Sequence, residues 1–254
     1  MSQIEAKILI LTPVKSAKRY VESYFSALGR LTYARELLSI GILESDSNDG
    51  TYDEVQGRLA TEDFRRKTLV KKDFGFKIPA DTPRYSAVYQ PTRRAILARS
   101  RNHLLFRALA DEDWVLWLDV DVVAYPPDII EQLISFDRDV VHPHCVTEPG
   151  GPTFDLNAWR DGGRQHMSDL RGQRLVRLDS VGGTLLLIRA DRHRDGLIFP
   201  PFFYGGRSRW ARDPHPLRGH AVGEIETEGL GIMAKDMGIE CWGLPDLEIL
   251  HAKD

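Results

Sequence analysis

Trp114-Val-Leu-Trp-Leu-Asp-Val-Asp121 is an apolar run of strand length that ends in two carboxylates one residue apart. On an extended strand, residues i and i+2 point to the same face, which predicts Asp119 and Asp121 side by side where the strand leaves the core. Two like charges so placed repel unless a cation or a shared proton relieves them. Hard oxygen ligands favour Mg2+ or Mn2+, ions that commonly accompany a phosphate. The plainer alternative is a solvated pair at a strand end. Against it, the unbroken apolar run marks a central strand buried on both faces, and ligands of open α/β sheets bind beyond the carboxyl ends of such strands.

Around this strand, strand and helix patterns alternate, which predicts an α/β sheet with crossover connections. Lys7–Leu11 and Leu37–Leu43 read as buried strands, and Ala17–Leu28 as a helix closed by Gly29. A helix over 52–67 and a short strand over 68–71 follow, then an irregular stretch to Gln90 and a long helix over 91–110. Pro126-Pro127 should open a helix to Ser135, because proline suits a first turn. Further strands are predicted over Val140–His142, Leu175–Leu178, Thr184–Ile188 and Leu247–Leu250, with a helix over Glu224–Met237. Residues 145–173 and 200–223 lack periodicity, and long irregular loops in a compact domain are usually functional or mobile. No repeat or linker divides the chain, so a single domain is expected over 1–254.

With 254 residues, 42% hydrophobic and 28% charged, the chain can bury a sizeable core. A net charge of −3 argues against broad nucleic-acid binding, although arginine is concentrated between Arg93 and Arg107. The opening Met-Ser-Gln-Ile-Glu-Ala-Lys lacks a charged-then-apolar signal sequence, and no apolar run approaches the ~18–20 residues of a membrane span. Cys145 and Cys241 stand far apart without a C-x-x-C spacing, which suggests neither a disulfide framework nor a zinc site. The dinucleotide motif G-x-G-x-x-G and the phosphate loop G-x-x-x-x-G-K-[ST] are both absent from the sequence, so a bound nucleotide needs another device.

Read together, several motifs indicate that device. Ile10-Leu-Thr-Pro13, the stretch 37–47, Lys72-Asp-Phe-Gly75, Arg99-Ser-Arg-Asn102 and Trp114–Asp121 followed by Pro126-Pro-Asp-Ile-Ile130 resemble the fungal Golgi α-mannosyltransferases of the Anp/Van type, glycosyltransferase family 62. The likeness continues through Phe154-Asp-Leu-Asn-Ala-Trp159, Val181-Gly-Gly183, Glu226-Thr-Glu228, Met233–Gly238 and Gly243-Leu-Pro245, in one order along nearly the whole chain.

This resemblance implies a GT-A fold, with a Rossmann-like central mixed sheet flanked by helices. About 1–125 would form the nucleotide-sugar half and about 126–254 the acceptor-side half. It also implies retaining transfer of mannose from GDP-mannose to a glycan or other sugar hydroxyl, assisted by Mn2+ or Mg2+, with a UDP-sugar as the fallback donor. Asp119 and Asp121 match the family's metal and nucleotide-sugar motif, and His251 the histidine of the last strand that completes the metal site. Imidazole and carboxylate suit Mn2+, with the diphosphate supplying further ligands. Arg99 and Asn102, three apart on a helix and so on one face, would meet the diphosphate and the ribose or sugar; a solvated basic face is the alternative. Thr12, Pro13 and Asp46 end the first two strands, where base and ribose should lie. Gly182 and Gly183 would let the backbone approach the sugar, or else mark a tight turn. Glu226 and Glu228, which a helix dipole alone could explain, are assigned to orienting the transferred sugar and the acceptor. Retention by a covalent glycosyl carboxylate and by same-face attack both stay open.

Against the family's pattern, no counterpart of the Golgi enzymes' membrane anchor and stem is expected, and with that the expected location is cytoplasmic or membrane-peripheral. Its 200–223 stretch matches poorly and leaves acceptor and linkage open; Phe202, Phe203, Tyr204 and Trp210 there could stack on sugars or form the loop's own small core. Two rival functions fit parts of the chain. Asp119-Val-Asp-Val-Val123 also fits the nucleophile motif of haloacid-dehalogenase-type phosphatases, although about 110 residues precede it and no later Asp-Asp pair offers a Mg2+ site. Alternatively, the chain binds nucleotide chiefly as the partner subunit of a glycosyltransferase complex.

Overall fold

The computed structural model describes residues 6–77, 79, 82–83, 86–210 and 223–253. The extreme amino terminus, parts of the stretch before Gln90, and residues 211–222 of the Arg-, His- and Pro-rich stretch therefore lie outside the described residues. The first half contains β1 (Ile8–Val14), α1 (Lys18–Gly29), β2 (Leu38–Glu44), α2 (Thr51–Thr61), β3 (Arg66–Lys71), α3 (Gln90–Ala108), β4 (Trp114–Leu118) and β5 (Val122–Ala124). There follow α4 (Ile129–Ser135), β6 (Val140–Val146), the two-residue strands β7 (Trp159–Arg160) and β8 (Gln165–His166), β9 (Val176–Leu178), β10 (Leu185–Arg189), α5 (Ala190–Arg194), α6 (Glu226–Asp236) and β11 (Cys241–His251).

One sheet runs through both halves in the order β3-β2-β1-β4-β10-β6-β11-β5, with β9 added alongside β11. The first four strands are mutually parallel. β10 then enters antiparallel between β4 and β6, β6 and β11 run parallel, and β5 and β9 pair antiparallel with β11. The sheet is thus mixed, as expected, and residues before 119 supply one side of it while later residues supply the other.

Alternation along the strands feeds two cores, one on each face. Ile8, Ile10, Leu116 and Leu118 face the layer of α1, α2 and α4, meeting Tyr24, Phe25, Val55 and Ile130. Leu9, Leu11, Val115 and Trp117 face the layer of α3 and α6, meeting Leu104, Leu105, Phe199 and Leu230. β4 is buried along its whole length, as its composition predicts. α3 packs against the sheet at Gly41, where a Cβ would lie 2.7 Å from Leu11 Cδ2 and 3.0 Å from Ala108 Cβ. Gly41→Ala is therefore expected to cost about 1–3 kcal/mol through overpacking; a urea midpoint unchanged from wild type would contradict that packing.

β1 continues through Thr12 and Pro13 to Val14, and β6 continues past His142 to Val146. Three further differences have local reasons. The helix read over 52–67 stops at Thr61, because the chain joins β2 from Arg65, whose N–H donates to the Leu38 carbonyl. Pro126 and Pro127 precede α4 and do not open it; their carbonyls accept from Ile129 and Thr32. The last strand is far longer than Leu247–Leu250 and starts at Cys241, with a register shift between Leu244 and Glu248 around Pro245, which has no N–H for a ladder. That proline hides the first half of the strand from a pattern search.

Candidate functional site

Asp119 and Asp121 do not lie on an extended strand. β4 ends at Leu118, and the next residues turn: the Asp119 N–H donates to the Thr184 carbonyl (2.8 Å) and the Asp119 carbonyl accepts from Val122 (3.2 Å). The turn reverses the chain so that β5 can pair with the end of β11, with His251 opposite Val122. This brings the last strand to the aspartates: His251 Nε2 lies 3.2 Å from Asp121 Oδ1, and the Ala252 N–H donates to the Asp121 carbonyl (2.8 Å). His251 Nδ1 faces the Ala252 carbonyl at 2.7 Å, which fixes the ring's other nitrogen towards Asp121. Phe154 stacks on the same ring at 4.0 Å. Burial pulls the His251 pKa down, but the hydrogen bond and charge of Asp121, helped by the Ala252 carbonyl and Asp119, raise it overall.

Asp119 is held differently. Burial pushes its carboxyl up to about 7; Arg101 opposes this, while Asp121, Asp155 and Glu226 add to it. Because the folded state binds this proton more tightly than the unfolded chain, Asp119 supports the metal-free fold below its ordinary value of 3.8, and that support is lost as pH rises through about 7. Asp119→Asn should accordingly match or exceed wild-type stability at pH 8 without metal, and lose the advantage at pH 4. Paired melting curves at the two pH values check this, and a variant weaker than wild type at pH 8 would contradict it.

Behind Asp119 lies a buried chain of charges. Arg101 donates through Nη2 to Asp119 Oδ1 (3.2 Å) and to the Gly183 carbonyl (3.3 Å), and its Nε lies 3.3 Å from Glu226 Oε1. Arg94 pairs with Glu228 at 2.6 Å, lies 3.7 Å from Glu226, and donates to the Ile225 carbonyl. The indole N–H of Trp159 donates to the second oxygen of Glu228 (2.8 Å). Glu226 opens α6 at φ 59°, a left-handed conformation uncommon outside glycine. Both glutamates are buried and already neutralised by arginine, so they suit holding substrate hydroxyls better than nucleophilic attack.

Gly182 and Gly183 are glycines because side chains fill the space beside them. A Cβ at Gly182 would lie 2.1 Å from Asp155 Oδ2 and 2.8 Å from His142 Nε2, and one at Gly183 2.5 Å from Arg101 Nη2. Asp155 Oδ2 accepts from the N–H groups of Gly183 (2.8 Å) and Thr184 (3.3 Å), so it fixes the segment that in turn holds Asp119. At the ends of β1 and β2, the buried hydroxyl of Thr12 is 2.6 Å from Tyr24 Oη, beside the half-buried Pro13. The Asp46 carboxylate accepts from Phe74 and Gly75 and ties down the Lys72–Gly75 motif. Arg99 is exposed and lies over the Phe74 ring.

Asn102 does not share the exposed face of Arg99. It is buried, and its amide both donates to and accepts from the backbone of Phe199, at 2.7 and 3.0 Å, a clip between α3 and the 197–200 segment. The inward arginines are Arg94 and Arg101, which the sequence left among a basic face. Asp155 and Phe154 were visible only as parts of a motif. Among the aromatic residues of the second loop, Trp210 carries the Arg209 guanidinium and the Lys235 ammonium 4.6 and 4.9 Å from its ring centre. Among the described residues no three His, Cys, Asp or Glu side chains converge as a ready cation cage. A cation here would rest on Asp121 and His251 and draw its other ligands from Asp119, from a bound diphosphate or from water.

The chain is similar to known proteins in sequence and in fold. The family model described as Anp1 matches residues 2–171 and 161–203. The mannan polymerase II complex anp1 subunit of Schizosaccharomyces pombe is 30% identical, over 96% of this chain and 64% of that protein. The mannan polymerase complex subunit mnn9 of the same yeast is also 30% identical, over 96% of this chain and 80% of that protein. Among solved structures, the mannosyltransferase PcManGT from Pyrobaculum calidifontis, in complex with GDP-Man and Mn2+, superposes with a TM-score of 0.59 at 17% identity, covering 97% of this chain and 57% of that one. S. aureus TarS 1-349 in complex with UDP gives 0.57 at 13%, covering 98% and 61%. At such identities the likeness is one of fold, and the fold is the GT-A glycosyltransferase type.

Proposed function

This chain belongs to the Anp1 family, and on that footing we propose that it is a metal-dependent retaining glycosyltransferase that moves mannose from GDP-mannose to a glycan or other sugar hydroxyl. The observation that carries the reading is the pairing of Asp121, on the turn between β4 and β5, with His251, at the end of β11, at the edge of a GT-A sheet. A carboxylate and an imidazole with its second nitrogen held by a carbonyl suit Mn2+, with Mg2+ as the substitute. Burial is the main cause of the raised pKa of Asp119, and the charges of Asp121, Asp155 and Glu226 add to it against Arg101; a cation beside the carboxyl would favour its charged form. When bound, the metal would act as a Lewis acid that neutralises charge on the departing diphosphate.

The remaining roles belong to the chain's own residues. Thr12, Pro13 and Asp46 border the place for base and ribose, and the exposed guanidinium of Arg99 is available to the diphosphate. The Gly182-Gly183 segment, fixed by Asp155, lines the donor side and fixes Asp119 through Thr184. Glu226 and Glu228 orient the sugar and the acceptor hydroxyl. The fold favours transfer over the phosphatase alternative. A cytoplasmic or membrane-peripheral location belongs to the same proposal, to be tested by fractionation; no helix among the described residues is long and apolar enough to cross a membrane.

The partner-subunit reading stays beside this one because curated relatives are subunits of mannan polymerase complexes. One assay separates the two. Release of GDP from GDP-mannose with Mn2+, accelerated by a mannoside acceptor and lost in His251→Ala, is expected of the transferase. Metal-dependent binding of GDP-mannose with no transfer to any acceptor would instead support the subunit.

A further inference from the structure

Three parts of the candidate site meet at the guanidinium of Arg101: the turn after β4, the Gly182-Gly183 segment and the start of α6. The side chain is 3% exposed and rests against the rings of Trp117 and Phe199, 5.6 and 5.2 Å from their centres. Nη2 reaches Asp119 Oδ1 and the Gly183 carbonyl, while Nε faces Glu226 Oε1. Gly183 carries no side chain at the point where its Cβ would strike Nη2. Two aromatic rings, a carbonyl and two carboxylates thus fix both the place and the plane of this group. The guanidinium hydrogen-bonds Asp119 through Nη2 and meets Glu226 as an ion pair, with no hydrogen bond at Nε; an ammonium keeps the charge but not this planar spread.

We infer that Arg101 is a positioning residue for the proposed transfer, spacing the donor-side carboxyl of Asp119 from the substrate-orienting carboxylate of Glu226. Without it, the side chains of Asp119 and Glu226 lose the partner they share, while the backbone bonds of the turn and of the start of α6 remain. A displacement on the order of 1 Å costs roughly 100-fold in rate when a site works by alignment. Arg66 offers an internal comparison. It also pairs with a buried carboxylate, that of Glu112 just past the end of α3, although its own side chain is 35% exposed, and it touches none of the site residues.

The inference rests on the donor-site reading, and the experiment separates the two. Wild type, Arg101→Lys and Arg66→Lys are compared by metal-free melting temperature, by calorimetric affinity for GDP-mannose with Mn2+, and by the rate of GDP release. Arg101→Lys is expected to melt cooperatively, with a rate about 100-fold lower and donor affinity changed by less than about 10-fold. Arg66→Lys is expected to lose melting temperature alone. Arg101→Lys behaving like Arg66→Lys, with altered melting but normal turnover, would overturn the positioning role and leave the donor site standing. Wild type that neither binds GDP-mannose nor releases GDP would overturn the donor-site reading, and this inference with it.

Discussion

Asp121→Ala is expected to weaken Mn2+-dependent GDP-mannose binding by at least about 100-fold, roughly 2.7 kcal/mol, while leaving the fold intact. The local structure separates these effects. The backbone of Asp121 clasps β11 through Ala252, a bond that survives loss of the side chain, whereas its carboxylate is the group facing His251 Nε2. Removing that carboxylate takes away one of the two protein groups best placed to hold a cation, and also releases the imidazole that it orients. Calorimetric titration of GDP-mannose with Mn2+, repeated with chelator, gives the affinity, and a melting curve of the metal-free variant reports the fold. Unchanged metal-dependent affinity in a folded Asp121→Ala protein would remove Asp121 from the site.

Arg94→Ala should be among the most damaging single changes to stability, at about 3–5 kcal/mol. Arg94 lies between two buried carboxylates and also donates to the carbonyl that precedes α6. Truncating it takes the arginine from Glu228, which keeps the Trp159 indole, and leaves Glu226 with Arg101 and the Thr227 hydroxyl. Buried charges lose most when a partner is removed singly, so the double variant Arg94→Met with Glu228→Gln should recover part of the loss. For a domain of this size the single change corresponds to a fall in melting temperature on the order of 10 °C. A double variant less stable than Arg94→Ala would mean that the pair contributes net stability beyond mutual neutralisation.

Much of the fold was legible because its signals are local. Trp114–Leu118 could only be a buried central strand, and it is one. The unbroken apolar runs of β1 and β4 predict cover on both faces, which the two cores supply. The site was legible as to its neighbourhood and less so as to its partners. Asp119, Asp121 and His251 do gather, although Asp119 and Asp121 sit on a turn and not along a strand. What the sequence concealed was which residues of α3 point inward. Ser100, Arg101 and Asn102 are all buried there, so the helix has no clean apolar stripe. The inward direction of Arg101 and Asn102 follows from partners 82 to 125 residues later, Gly183, Phe199 and Glu226, that no helical period reveals. For that reason Arg99 looked like the better ligand and Arg101 like part of a solvated face. Gly182 and Gly183 posed the same difficulty. A glycine announces close approach, but it cannot say that Asp155 and Arg101 are what approaches.

The central claim is metal-dependent recognition of a guanine nucleotide sugar, and a thermal-shift panel tests it most directly. GDP, UDP, ADP and their common sugar conjugates are each added with Mn2+, with Mg2+ or with chelator. A ligand at ~100 times its dissociation constant stabilises the native state by ~2.7 kcal/mol, a shift of roughly 5–10 °C for a domain of this size. The expected result is a rise confined to GDP and GDP-mannose in the presence of Mn2+, weaker with Mg2+ and absent from Asp121→Ala. No response to any nucleotide with any metal would contradict the donor site and return Asp119 and Asp121 to a solvated turn.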